Sequence, residues 1–175
     1  MELEKLLLSK HAKTTTTKVI QWVDCDPAKF NLLMHYVLGN NAILAQRAAW
    51  AMSYLVIKQP KLIEPHLNKL LLLLEQPVHQ AIKRNTFRFL KEIEIPKRSL
   101  TLAIDACITT VSNPTEPIAV ICFAFNTLSK IAKQFPEIKN EILFATELHQ
   151  ENTSAGVKHT IKKVRKELNK ITQSF

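Results

Sequence analysis

A spacing of 37 residues runs through this chain and leaves few folds open to it. Leu33, Leu70, Cys107 and Phe144 stand 37 apart, and so do Val37, Leu74, Val111 and Leu148. The breaks between apolar stretches keep the same step, at Asn40, Pro77, Pro114 and Glu151. A fixed period of this size marks a solenoid, because each unit has an apolar face that it buries only against its neighbours. The architecture is readable from this register. The specific job of the chain is not.

The 175 residues are 46% hydrophobic and 22% charged, enough for one well-packed domain and too apolar for a disordered segment. Only two glycines are present. Tight hairpins and phosphate-cradling loops both need glycine, so all-β folds and Gly-rich nucleotide sites are disfavoured together. The leucine run Leu70–Leu74 falls far short of the roughly 18 apolar residues of a membrane span, so no membrane partner is expected. Met1-Glu2-Leu3-Glu4 lacks the basic start and apolar stretch of a secretory leader. Taken as the native start, it predicts a cytoplasmic protein. Cys25, Cys107 and Cys122 have no C-x-x-C spacing, which argues against a disulfide framework or zinc site. All three read as small core residues.

Apolar residues recur at helical spacing almost throughout. Asp26-Pro27 opens a helix as cap and first turn. Phe30, Leu33, Met34, Val37 and Leu38 follow as one buried stripe, ended by Gly39-Asn40-Asn41. The next helix covers about 42–58, with Trp50, Ser53, Tyr54 and Ile57 expected to face inward. Pro60 and Pro65 bracket the start of a third, apolar at Leu67, Leu70, Leu71 and Leu74. Further helices are predicted at about 78–94, 97–112, 115–133, 136–150 and 154–171. Loops of a few residues make successive helices antiparallel neighbours. The first 25 residues read as two short helices around Thr14–Thr17, a β-branched run of poor helix propensity.

A Pro-opened helix, a short turn, and then Asn followed six residues on by Arg-Ala-Ala resembles a HEAT repeat. The best copy is Asn41 to Leu55, containing Gln46-Arg47-Ala48-Ala49-Trp50, with Pro27–Leu38 as its first helix. The resemblance covers residues 26–172 as about four repeats. It implies an all-α fold, an armadillo-like α-solenoid forming a right-handed superhelix. Residues 1–175 would be one solenoid domain, with 1–25 as the N-terminal cap. The family usually places Asp six residues before the Arg, as half of an inter-repeat ladder. Here Asn41, Val78, Thr115 and Asn152 stand there, so Arg47 and Arg84 lack that partner.

The net charge of +9 is unevenly spread. The stretches expected as second helices, 42–58, 78–94, 115–134 and 154–172, carry +2, +2, +1 and +5, so the remainder is near neutral. The resemblance puts second helices on the concave surface and makes that wall basic. Arg47, Arg84, Arg88, Lys91, Lys158, Lys162 and Arg165 are the candidate binding residues. A concave surface of one sign focuses potential and attracts polyanions. Lys10, Arg47, Arg84 and Lys158 also share the 37-residue register, with Ile121 as the gap, as a ladder for successive phosphates would. Against this, half the charge lies on the last segment. There Val157, Ile161, Val164, Leu168 and Ile171 form one stripe, and the lysines take the other side as a solvated end-face. Phe87 and Phe89 flank Arg88, but Phe87 shares the register of Trp50 and Ile161, which favours core packing over base stacking.

No pattern of catalytic chemistry stands out. His11, His35, His66, His79, His149 and His159 include no pair four apart, and no nucleophile elbow, P-loop or dinucleotide fingerprint occurs. Glu137, Glu141, Glu147 and Glu151 gather near the fourth repeat at helix-surface positions. No catalytic residue, metal or cofactor is therefore expected. Trp22-Val23-Asp24 is faintly similar to the Trp/Asp pairing of HEAT-like alkylpurine DNA glycosylases, but Trp22 falls in the cap rather than mid-groove. The leading expectation is a non-enzymatic, monomeric scaffold for a protein partner. Weak, non-specific DNA or RNA binding through the basic face is the alternative, and a glycosylase relative stands behind it.

Overall fold

The computed structural model describes residues 2–10, 12–149 and 154–171. Among these every regular element is helical. In chain order they are α1 (Glu2–Ser9), α2 (Lys13–Val23), α3 (Pro27–Val37), α4 (Ala42–Lys58), α5 (Leu67–Leu73), α6 (Gln80–Leu90), α7 (Lys97–Val111), α8 (Ile118–Ala132), α9 (Lys139–Glu147) and α10 (Ala155–Leu168). Short 3-10 turns at Pro60–Ile63 and Pro136–Ile138 lead into α5 and α9. The chain divides into two compact units, Met1–Ser99 and Leu100–Phe175, and the division falls inside α7.

Caps set several helix starts in the way the residue types dictate. Asp26 accepts from the Ala28 and Lys29 N–H groups ahead of Pro27, and Asn41 accepts from those of Ile43 and Leu44. His79 Nδ1 accepts from Ala81, and Ser154 Oγ from Val157. Each satisfies N–H groups that a first helical turn leaves without partners. The threonine run behaves otherwise than its propensity suggests. It lies inside α2, where Thr16 and Thr17 donate to the Ala12 and Lys13 carbonyls one turn back. Packing of Thr16, Val19 and Val23 outweighs the weak local preference.

In the first unit α4 is central. It packs against α1, α2, α3, α6 and the first 3-10 turn. Ala45, Ala48, Ala49 and Ala51 are all but fully buried, and such small side chains let several helices approach one axis. Met52, Leu55 and Val56 fill the space between. This reverses the expected orientation of α4. Of Trp50, Ser53, Tyr54 and Ile57, only Ser53 is buried; Tyr54 and Ile57 are each 37% exposed, and Trp50 is half-buried.

The second unit holds the rest of α7 with α8, α9 and α10. Here α8 packs on α9 and α10, and α9 on α10. The register holds for Leu33, Leu70 and Cys107, and for Val37, Leu74 and Val111, all buried. It then fails. Phe144 is 66% exposed and Leu148 43% exposed. In their place α9 buries Ile142, Ala145 and Thr146, and the turn after it buries His149, with Ala145 one position beyond Phe144 and His149 one beyond Leu148. The slip starts earlier, at Pro114-Thr115-Glu116-Pro117, which delays α8 until Ile118. Val120, Ala124, Phe125 and Leu128 are buried 39 residues after Ala81, Asn85, Thr86 and Phe89, rather than 37. In α10, Val157, Thr160, Val164 and Leu168 are buried 36 residues after Ile121, Ala124, Leu128 and Ala132. Lys158 is therefore no structural counterpart of Arg84.

The cysteines split. Cys107 is buried, and burial pushes its thiol well above the ordinary range, with Lys130 opposing. Cys122 is half-buried, whereas Cys25 is exposed and does not belong to the core.

Candidate functional site

Ile43, Arg47, Trp50, Tyr54 and Ile57 follow one another at steps of four and three, which places them on one stripe of α4. At 1.5 Å per residue the stripe is about 21 Å long. On it Ile43, Tyr54 and Ile57 are exposed, whereas Arg47 and Trp50 are half-buried. On one side Ser53 Oγ donates to Asn85 Oδ1 at 3.2 Å, and Asn85 Nδ2 to the Ala81 carbonyl at 2.8 Å, which locks α4 to α6. On the other, Arg47 Nη1 donates to the Leu7 carbonyl at 2.5 Å. That carbonyl lies in the last turn of α1, where helical partners run out. Arg47 also borders a cavity of about 10 Å³ with Leu7, Lys10, Thr16 and Val19, room for one water and far below a small-molecule site.

Arg88 crosses from α6 to α4. Its guanidinium carbon sits 4.2 Å from the centroid of the Tyr54 ring, a cation–π contact. The Tyr54 phenol is held below its ordinary pKa, first by hydrogen bonding from Arg88, then by the Arg88 charge, a Trp50 hydrogen bond and Lys13, against an opposing effect of burial. One turn before Arg88, Arg84 is exposed. Lys91 is half-buried and pairs with Glu92. The face made by α4 and α6 is thus apolar and aromatic along α4 and cationic along α6. The basic half is legible in the sequence, whereas the apolar pattern there predicts that the aromatic half faces inward. The alanines of α4 were the available signal, since a helix with that many small residues is packed on most sides.

The second unit carries the other three candidates. Lys158 and Lys162 are exposed on α10. Arg165 is half-buried, and its Nε donates to Thr146 Oγ1 at 2.8 Å, tying α10 to α9. Glu167 accepts from Ser129 Oγ at 2.7 Å and lies 3.7 Å from Lys133 and 3.9 Å from Lys163. His149 is buried, with Nε2 2.6 Å from the Val111 carbonyl and its ring edge-on to Phe125.

Phe87 and Phe89 are fully buried, so neither ring meets a ligand. Trp22 carries the Lys29 ammonium 5.3 Å over its ring, and exposed Asp24 ends α2 at a φ of 46° and accepts from Cys25. Glu141 and Glu147 are exposed on α9 and Glu137 just ahead of it, while Glu151 and Asn152 lie outside the described residues. Among the described residues no group of three His, Cys, Asp or Glu side chains is arranged to hold a metal ion. No described helix is long and apolar enough to cross a membrane.

No curated protein and no solved structure matches the chain. The family model of the HEAT repeat domain matches it over residues 3–168. Among the described residues the match reaches from α1 to the end of α10, and so includes α1 and α2 ahead of the repeat pattern that starts at Asp26. With helices paired through short Pro- and Asn-marked turns and a register that persists through Val111, this chain belongs to the HEAT repeat family.

Proposed function

We propose that this HEAT-repeat chain is a non-enzymatic scaffold that holds a protein partner along the open stripe of α4. One observation carries the reading: a helix packed against α1, α2, α3 and α6 leaves Ile43, Tyr54 and Ile57 exposed and Trp50 half-buried along one stripe. Trp, Tyr and Arg are the types that dominate protein–protein hot spots, and Arg88 already lies on the Tyr54 ring. Nucleic-acid binding fits this face less well. Base stacking needs free aromatic faces, and Phe87 and Phe89 are buried while Arg88 occupies one face of Tyr54. In this reading the protein acts as a cytoplasmic monomer without metal or cofactor.

The test is photo-crosslinking in cells from a benzoylphenylalanine placed at Ile57, with the same group at exposed Leu72 on α5 as the control. A discrete protein adduct from position 57 and none from position 72 is the expected result. An adduct that nuclease destroys, or equal labelling from both positions, tells against the proposal.

A further inference from the structure

We propose that the partner segment is acidic, with an Asp or Glu carboxylate seated among Tyr54, Arg88 and Lys13 and apolar neighbours covering Trp50 and Ile57. This rests on the reading of α4 as the protein-binding stripe and adds the chemistry of what binds.

Three observations converge. The first is charge without counter-charge. Among the described residues, no carboxylate pairs with Lys13, Arg84 or Arg88, although Lys91 beside them has Glu92. The second is hydrogen-bond capacity. The Arg88 guanidinium lies 4.2 Å from the centroid of the exposed Tyr54 ring, so its N–H groups and the phenol's O–H stand side by side. A carboxylate is acceptor-only, and it takes this O–H and a guanidinium N–H together as strong charge-assisted bonds. The third is the alternation of kinds. Ile43, Trp50 and Ile57 alternate with the polar positions Arg47 and Tyr54 along about 21 Å, the span of roughly six extended residues. A polyphosphate meets the cations of such a surface and leaves its apolar part uncovered. A peptide alternating Glu with Leu or Phe satisfies both.

The experiment is anisotropy titration of the full chain with three fluorescein-labelled probes. One is a nine-residue peptide alternating Glu with Leu and Phe, one is the same peptide with Gln for every Glu, and one is oligothymidylate of equal charge. We expect saturable binding of the acidic peptide, at least tenfold tighter than the Gln peptide and tighter than the oligothymidylate. Tyr54→Phe keeps the ring and removes the O–H, and should weaken the acidic peptide several-fold. Arg88→Glu combined with Lys13→Glu should weaken it more than tenfold. Lys158→Glu combined with Lys162→Glu on α10, the same change of charge elsewhere, should leave it within twofold. Equal binding of the Gln peptide, tighter binding of the oligothymidylate, or an equal loss from the α10 variant overturns the inference. A protein adduct from position 57 with no acidic-peptide binding sinks the acidic class alone; absence of any adduct sinks the scaffold reading with it.

Discussion

Arg47 bonds a backbone carbonyl where the usual HEAT pattern would offer an aspartate, and it is not alone. Arg98 Nη2 donates to the Glu64 carbonyl at 2.8 Å, and His149 Nε2 meets that of Val111 at 2.6 Å. Each bond spans 34 to 40 residues, close to one repeat. Asn41, at the family's Asp position, caps α4 instead. Arginine and histidine side chains that hold neighbouring repeats through backbone carbonyls thus stand where charge pairs would otherwise do so, and the Leu7 and Val111 carbonyls are ones that helix ends leave without partners. Glu167 is the residue whose chemistry reads out most directly. Hydrogen bonding from Ser129 is the main reason its pKa lies below the ordinary 4.5, with Lys133 and Lys163 adding to it and burial opposing. A carboxyl depressed in the folded state contributes stability that is complete above the unfolded pKa and is lost as pH falls through the folded one. Glu167→Gln should therefore flatten the fall in stability between about pH 6 and pH 3, by about 1 kcal/mol at most after solvent screening. Urea midpoints of both proteins at the two pH values measure it, and identical pH dependences would show that the bond contributes nothing.

At the scale of the helix, the decisive variable is rotation about the axis. One residue is about 100° of turn, so a one-residue slip moves a core side chain into water. Ile142→Ala and Leu70→Ala, both at fully buried positions, should each cost about 2–5 kcal/mol, whereas Phe144→Ala should cost under about 0.5 kcal/mol. Chemical denaturation of the three variants checks this, and a large loss from Phe144→Ala would restore the unbroken register. The contrast also shows how far the sequence could be read. Leu33, Leu70 and Cys107 are legible because leucine-rich stripes at 37-residue steps have one stable use, and Asp26 and Asn41 are legible because capping is local chemistry. The slip of α8 is not, because Pro114 and Pro117 both suit the start of a helix and only packing chooses between them. The facing of α4 was hidden for the opposite reason: Ala45, Ala48, Ala49 and Ala51 carry little hydrophobic signal, so Trp50, Tyr54 and Ile57 dominated the apolar pattern while the alanines took the interior. Arg47, Arg88 and Arg165 were recognisable as charges, but their contacts depend on which helix end or ring stands opposite, and that is a tertiary fact.

For the molecule as a whole, the net charge of +9 governs encounter with polyanions and says little about fit. The seven candidate cations are not equivalent in what they have to give. Arg47 and Arg165 are committed to Leu7 and Thr146, Arg88 lies on Tyr54, and Lys91 pairs with Glu92. Arg84, Lys158 and Lys162 are the exposed ones. Neutralising one phosphate contributes about −0.9 to the slope of log K against log salt. If all seven met phosphates they would contribute a slope of about −6, and the three exposed ones contribute about −3. The second value corresponds to a loss of roughly 40-fold in affinity between 50 and 200 mM salt, so any duplex binding at low salt should be weak, indifferent to sequence and gone near physiological ionic strength. Anisotropy of random-sequence duplex DNA across a salt series decides between the two. Arg84→Glu, Lys158→Glu and Lys162→Glu should each make the slope shallower by about 1, and Arg47→Gln should leave it unchanged. A slope that responds equally to Arg47 would mean that its guanidinium leaves the α1 carbonyl to meet phosphate, and would move the nucleic-acid reading ahead of the protein scaffold.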